Sequence, residues 1–141
     1  MAETILHEWF RRVWTQGDRN AVYDLLGADA LIHELDERGG DSRGPDEFLV
    51  FFDRVRSAIP DMKVEVHDVV AAADWIAGRW TATGSHTGDQ LGFPATQRPL
   101  RVSGMSLARI RDGRIAEGWN IWDRLGFMEQ LGFELRTPPP A

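Results

Sequence analysis

Cysteine is absent from all 141 residues. That removes disulfide frameworks, thiolate zinc sites, thiol nucleophiles and iron–sulfur clusters together. No apolar run approaches the ~20 residues that a helix needs to span a bilayer. A basic surplus is also missing: 22 acidic residues stand against 16 basic ones, for a net charge of −6. A nucleic-acid partner or an anionic membrane partner would want a net basic surface, so neither is expected. The opening MAETILHEWFRR is acidic and then amphipathic, not basic and then apolar, so the expectation is a cytoplasmic protein without a secretory signal. There is no internal repeat, and no low-complexity segment beyond the terminal TPPPA.

What is present suffices for one domain, expected over residues 1–136 with a Pro-rich tail at 137–141. Hydrophobic residues make up 43% and charged residues 27%, enough to build a core without disulfide or metal staples. Six tryptophans and seven phenylalanines stand against a single tyrosine. Such a set builds a thick core or lines a cavity for a flat, apolar ligand.

Periodicity places helices first. From Ala2 to Gln16, Leu6, Trp9, Phe10 and Val13 fall on one helical face, and Gly17 ends it. Asp18 caps a second short helix through Val22, Leu25 and Leu26. A strand over Ala30 to Ile32 leads into His33, and DERGGDSRG (36–44) reads as a loop. Pro45 opens a third helix carrying Phe48, Phe51, Phe52, Val55 and Ile59. The period then becomes two, with strands from Met62, over Trp75 to His86, over Leu100 to Arg111 and over Arg114 to Asp123. Asp112-Gly113 is a hairpin signal. A short helix over Leu125 to Leu131 closes the domain. The expected class is α+β, with helices packed on one face of a curved antiparallel sheet.

Three stretches carry a family resemblance: GPDEFLVFFDRVRSAIPDMKVEVHDVV, RWTATGSHTGDQLGFPATQRPL and RPLRVSGMSLARIRDGRIAEGWNIWDRLGFMEQLG. With the Leu31-Ile32-His33 strand they resemble the SnoaL-like polyketide cyclases of the NTF2-like superfamily over nearly the whole chain. The resemblance implies a cone-shaped α+β barrel with the N-terminal helices on the concave face of the sheet. It also implies a deep apolar cavity and a cytoplasmic enzyme without metal or organic cofactor. Members close the last ring of anthracycline precursors by an intramolecular aldol reaction, and relatives in the same pathways are assigned to polyketide hydroxylation.

Cyclases of this family use an aspartate on the last strand and a histidine fourteen positions earlier. Those positions are Asn120 and Ser106 here, and both are replaced. Asn120 can donate to or accept from a substrate oxygen but cannot take a proton at neutral pH. A two-residue type I′ turn at Asp112-Gly113 would put Ser106 and Asn120 on opposite faces. A three-residue turn with left-handed glycine would set Ser106 opposite Gly118 and on the face of Asn120, Trp122 and Ala108. The three-residue turn is expected, because the family places both positions in the cavity.

His33 matches a histidine the family carries at the end of its first strand, and it is the expected general base beside Asn120; a structural histidine near a loop is the competing reading. Asp123 is the third catalytic candidate, although its place before the closing helix suits an N-cap better. Ser106, Trp122, His86, Trp14, Phe52 and Met105 are the expected substrate contacts. His7 and His67 read as surface residues, and the scattered histidines give no metal-ligand spacing. Arg79 is expected in a structural role, with Glu117 as a possible outer-face partner.

The leading expectation is therefore an aromatic polyketide tailoring enzyme acting on a polycyclic ketone or phenol. Hydroxylation is favoured over aldol closure because the aspartate–histidine pair is gone. A non-catalytic binding module is the alternative from another class, and the Asp–Arg–Asp relay of epoxide hydrolases with this fold cannot be assembled. Apolar side chains on both faces of the last strands (Met105, Leu107, Trp119 and Ile121 against Ala108 and Trp122) predict a homodimer through the outer sheet face.

Overall fold

Thr4 caps the first helix, α1 (Ile5–Trp9): its hydroxyl accepts from the His7 N–H, and its own N–H donates to the His7 ring at 3.2 Å. The computed structural model describes residues 3–141, so Ala2, where the periodic pattern begins, lies outside the described residues. The single helix expected through Gln16 changes winding after Trp9. Phe10–Thr15 form a π-helix, in which the Gln16 N–H donates to the Arg11 carbonyl at 2.9 Å. Asp18 caps α2 (Arg19–Leu25) by accepting from the Asn20 N–H at 3.0 Å.

The strands are β1 (Leu26–His33), β2 (Ser42–Arg43), β3 (Lys63–Ala72), β4 (Trp75–Ser85), β5 (Pro99–Arg111) and β6 (Arg114–Trp122). Helix α3 (Gly44–Ala58) lies between β2 and β3, and α4 (Arg124–Gln130) follows β6. Gly44 sits at φ +73°, and a Cβ there would stand 2.6 Å from the Ala28 carbonyl oxygen, so the turn into α3 needs glycine. One sheet results, in the order β2-β1-β6-β5-β4-β3. It is not wholly antiparallel as expected: β1 runs parallel to β6. These two strands are joined by most of the chain rather than by a hairpin, so no tight turn fixes their sense. The short strand β2 falls inside the segment expected to be all loop.

The β5–β6 hairpin corrects the expected turn. Asp112 and Gly113 have φ of +52° and +75°, the two-residue type I′ geometry, and Arg111 pairs with Arg114. The pairing then slips by one residue on β6, from Ile110–Ile115 to Arg109–Glu117, leaving Ala116 as a bulge. Beyond it Ser106 lies directly opposite Asn120, not opposite Gly118. A bulge, not a longer turn, brings the two positions onto one face.

Helices α1, α2, α3 and the π-helix press their apolar stripes onto the concave face. Leu6, Trp9, Phe10, Val13 and Trp14 meet Phe48, Leu49 and Phe52 of α3 over Ile32, Ile76, Ala108 and Ile115 of the sheet. Phe48, 1% exposed, lies edge-on to Trp9 and Trp14 with ring centroids 5.0 and 5.8 Å away. Truncating a phenylalanine so enclosed leaves a cavity that its aromatic neighbours cannot refill. Phe48→Ala should therefore cost about 3–5 kcal/mol of unfolding free energy, read as a lowered urea midpoint with little change in slope.

Candidate active site

Between the helices and the concave sheet lies a cavity, open to solvent on one side, with about 120 Å³ of space for water-sized molecules. Phe10 and Trp14 of the π-helix and Phe51 and Val55 of α3 form one wall. Trp80, Ala82, Leu100, Val102, Asn120 and Trp122 form the sheet wall, and Leu35, Glu37, Leu91 and Phe127 close the ends. Gly104 makes the sheet wall possible: a Cβ there would stand 2.4 Å from the Trp80 ring and 2.9 Å from Trp122. The wall is apolar and aromatic with Asn120, Thr83 and Glu37 as its polar side chains, the profile of a small-molecule site.

Asn120 is held by a directional chain. The Trp80 Nε1–H donates to Ser106 Oγ at 3.0 Å, and the Ser106 hydroxyl donates to Asn120 Oδ1 at 2.8 Å. Asn120 Nδ2 donates to the main-chain carbonyl of His33 at 3.2 Å. Ser106 is buried behind Asn120 rather than forming the wall. The chain fixes which end of the amide is oxygen and leaves one Nδ2–H without an acceptor among the described residues.

The end wall is held as firmly. Arg54 of α3 grips the Glu37 carboxylate through both oxygens at 2.5 and 3.1 Å. That contact holds the Arg54 guanidinium above its ordinary pKa. Arg124 ties the same loop from α4, donating to the carbonyls of Asp36 at 3.0 Å and Glu34 at 2.7 Å. Burial pushes the Asp36 carboxyl up, but the N–H groups of Gly40 and Arg38 outweigh it and hold the carboxyl below its ordinary value.

Four of the expected site residues stand elsewhere, and a fifth has another task. His33 points away from the cavity: on β1 Ile32 is the inward residue, so alternation turns His33 outward. Only its carbonyl touches Asn120. Its ring stacks on Trp119 at 5.2 Å and hydrogen-bonds Glu117 at 2.7 Å, which Arg109 holds from the other side at 2.8 Å. Met105 is 56% exposed on the same outer face, opposite Arg79 and Ile121. His86 is 0% exposed, against Phe93 and Thr96 at the foot of the loop after β4, and is not part of the cavity wall. Phe52 faces the core, and Phe51, one helical step round, takes its place on the wall. Asp123 caps α4, accepting from the Gly126 N–H at 2.8 Å. Arg79 pairs on the outer face with Asp68, not Glu117. His67, expected at the surface, is half-buried and bonds Thr81 at 2.8 Å.

Trp14, Trp122 and Asn120 do line the cavity. Glu37, Phe51 and Trp80 are the residues that sequence reasoning missed there. Glu37 sits in a polar loop with no periodicity, and its partner Arg54 lies 17 residues away. Among the described residues no three histidines or carboxylates converge as a metal site.

The sequence profile described as SnoaL-like polyketide cyclase matches residues 4–131. The chain belongs to the SnoaL-like polyketide cyclase family. It is 29% identical over 126 residues to the aklanonic acid methyl ester cyclase DnrD of Streptomyces peucetius, covering 89% of this chain and 87% of that one. Among solved structures, IdmH from Streptomyces antibioticus, assigned as a polyketide cyclase, is 30% identical with a TM-score of 0.76, over 92% of this chain and 96% of its own. A protein of Catenulispora acidiphila with a ketosteroid isomerase-like fold superposes with a TM-score of 0.79 at 20% identity, over 95% of this chain and 96% of its own, and shares the fold. This SnoaL-like chain thus has the expected curved α+β architecture, with Ser106 and Asn120, joined to Trp80, at the positions where the family resemblance implied a catalytic pair.

The outer-face pair gives a pH signature separate from the cavity. The Glu117 hydrogen bond raises the His33 pKa above its ordinary 6.5, and His33, then Arg109, hold Glu117 below its ordinary 4.5. A raised histidine stabilises the fold fully below its unfolded value and loses that contribution as pH rises through the folded one. A lowered carboxylate stabilises above its unfolded value and loses the contribution as pH falls. The pair is therefore strongest between about 4.5 and 6.5. The melting-temperature gap between the native protein and His33→Gln should be widest in that window and close towards alkaline pH. A gap that keeps growing above pH 6.5 would refute the pair.

Proposed function

We propose that this SnoaL-like protein is an enzyme of aromatic polyketide tailoring. It takes a flat polycyclic ketone or phenol into the cavity and reacts it through an enolate or phenolate whose oxygen is bound by Asn120. One observation carries the reading: a single amide, its orientation fixed by Ser106 and the His33 carbonyl, presents a spare N–H on an aromatic, apolar wall. A donor fixed before the reaction, with little water near it, stabilises developing negative charge at small reorganisation cost. Trp14, Trp80 and Trp122 supply flat surfaces for a ring system.

Hydroxylation-type chemistry fits the pair better than ring closure. The family resemblance assigns ring closure to an aspartate–histidine pair, and Asn120 and Ser106, which stand at those positions, do not take up a proton at neutral pH. Hydroxylation asks the pair only to hold an electron-rich anion, with molecular oxygen and a two-electron donor supplied from outside the chain. Aldol cyclisation is the second reading, supported by the 29% identity to a chain named as a cyclase. The proposal includes a homodimer through the outer sheet face, where Met105 and Ile121 remain 56% and 69% exposed. A monomeric mass by sedimentation at micromolar concentration would remove the dimer.

Titration with 1,8-dihydroxyanthraquinone should quench tryptophan fluorescence. Turnover of a polycyclic ketone under labelled dioxygen, with a two-electron donor such as ascorbate present, should add one labelled oxygen atom to the product and leave the other in water. A product that is an isomer of the substrate would instead mean cyclisation, and binding without any product would mean a carrier. Asn120→Ala should fold normally and lose about 10²–10³ in rate.

A further inference from the structure

We propose that Glu37 is the proton-accepting carboxylate of the cavity, with Arg54 as its positioning residue. The inference rests on the reading of Asn120 as the oxygen-binding donor and supplies the base which that reading lacks. Every group nominated for proton transfer is out of reach of the ligand space. The His33 ring is on the outer face, His86 is buried under its own loop, and Asp123 is spent on capping α4. Of the three polar side chains on the cavity wall, Asn120 and Thr83 do not ionise near neutral pH, and Glu37 is the remaining one.

Its setting differs from that of an ordinary surface ion pair. Glu37 is 20% exposed and Arg54 30%, and the apolar neighbours on the wall are Leu35 and Phe51. Arg54 itself lies over the Phe51 ring at 5.7 Å, so the fork is fixed in direction as well as distance. The loop that carries Glu37 is anchored on both sides of it, by Arg124 to the carbonyls of Glu34 and Asp36 and by the Leu35 N–H to the Gly40 carbonyl at 2.8 Å. A carboxylate has about four lone-pair directions, and the fork uses one on each oxygen. The others meet no donor among the described residues.

The step is a proton transfer without redox change. Glu37 takes a proton from a carbon beside a carbonyl, or from a phenolic oxygen. When the C–H bond breaks, its electron pair forms the new C=C bond and the carbonyl π pair moves onto oxygen, where the Asn120 N–H binds it. The proton rests on a Glu37 oxygen until it returns to product or water. This half-reaction precedes hydroxylation and aldol closure alike, so the assignment does not depend on which follows.

Anthrone, a flat tricyclic ketone with an acidic methylene, gives a direct readout under anaerobic conditions in D2O. The native chain should quench its tryptophans on binding anthrone and speed deuterium uptake at the methylene. Glu37→Gln, which keeps the size of the side chain, should bind anthrone with unchanged affinity and lose 10²–10⁴ of the exchange rate. Arg54→Gln should lower the exchange rate while leaving anthrone binding in place, and Arg54→Lys should restore part of it, as a positioning role requires. If Glu37→Gln exchanges as fast as the native chain while Asn120→Ala does not, the base assignment falls and the oxygen-binding reading stands. If the native chain neither binds anthrone nor speeds its exchange, both fall together.

Discussion

Strand alternation, reset on β6 by the bulge at Ala116, is the constraint on which the rest of the molecule depends. With it, Asn120 and Trp122 face the cavity, Ser106 stands behind Asn120, and Met105, Leu107, Trp119 and Ile121 face outward. A slip of one residue would turn the tryptophan wall to solvent and bring Glu117 and Trp119 inside. The hydrogen bonds along Trp80, Ser106 and Asn120 hold this register against the alternatives. Each contributes roughly 1 kcal/mol when made, and an unmade buried partner costs about 1–3 kcal/mol.

That register separates two kinds of chemistry by the thickness of one sheet. The outer face gathers the charged network of His33, Glu117 and Arg109 against Trp75 and Trp119, where water screens it and pH acts on it. The inner face holds few polar groups in a mostly aromatic cavity. There each hydrogen bond or charge counts for more, because the surroundings cannot answer it. Asn120 bridges the two: its inward amide rests on the main-chain carbonyl of His33, whose own ring points out.

Family membership accounts for the frame and leaves the chemistry to individual side chains. The profile matches from the N-cap of α1 to the end of α4, so the helices, the sheet and the cavity come with it. The side chains where the resemblance placed an aspartate and a histidine are an amide and a hydroxyl, tied to each other at 2.8 Å. In this chain that pair makes a fixed donor. The ionisable group sits at the end of the cavity, in a loop whose composition looks like ordinary solvated connection.

The sequence alone determined what depends on neighbours a few residues away. Asp18 and Asp123 cap helices because a short acceptor followed by a helical pattern satisfies free N–H groups wherever it occurs. Gly44-Pro45 starts a helix, and Asp112-Gly113 makes a hairpin, for equally local reasons. Tertiary structure alone decided what depends on pairing across the chain. The bulge at Ala116 set the face of Asn120, the parallel seam of β1 with β6 sent His33 to the outer face, and one helical step put Phe51 rather than Phe52 on the wall. Glu37 met Arg54 only because α3 docks beside the loop after β1. Caps and turns are settled by local hydrogen bonds and backbone torsions, whereas the facing of a side chain is a parity, and a single inserted residue far along the chain reverses it.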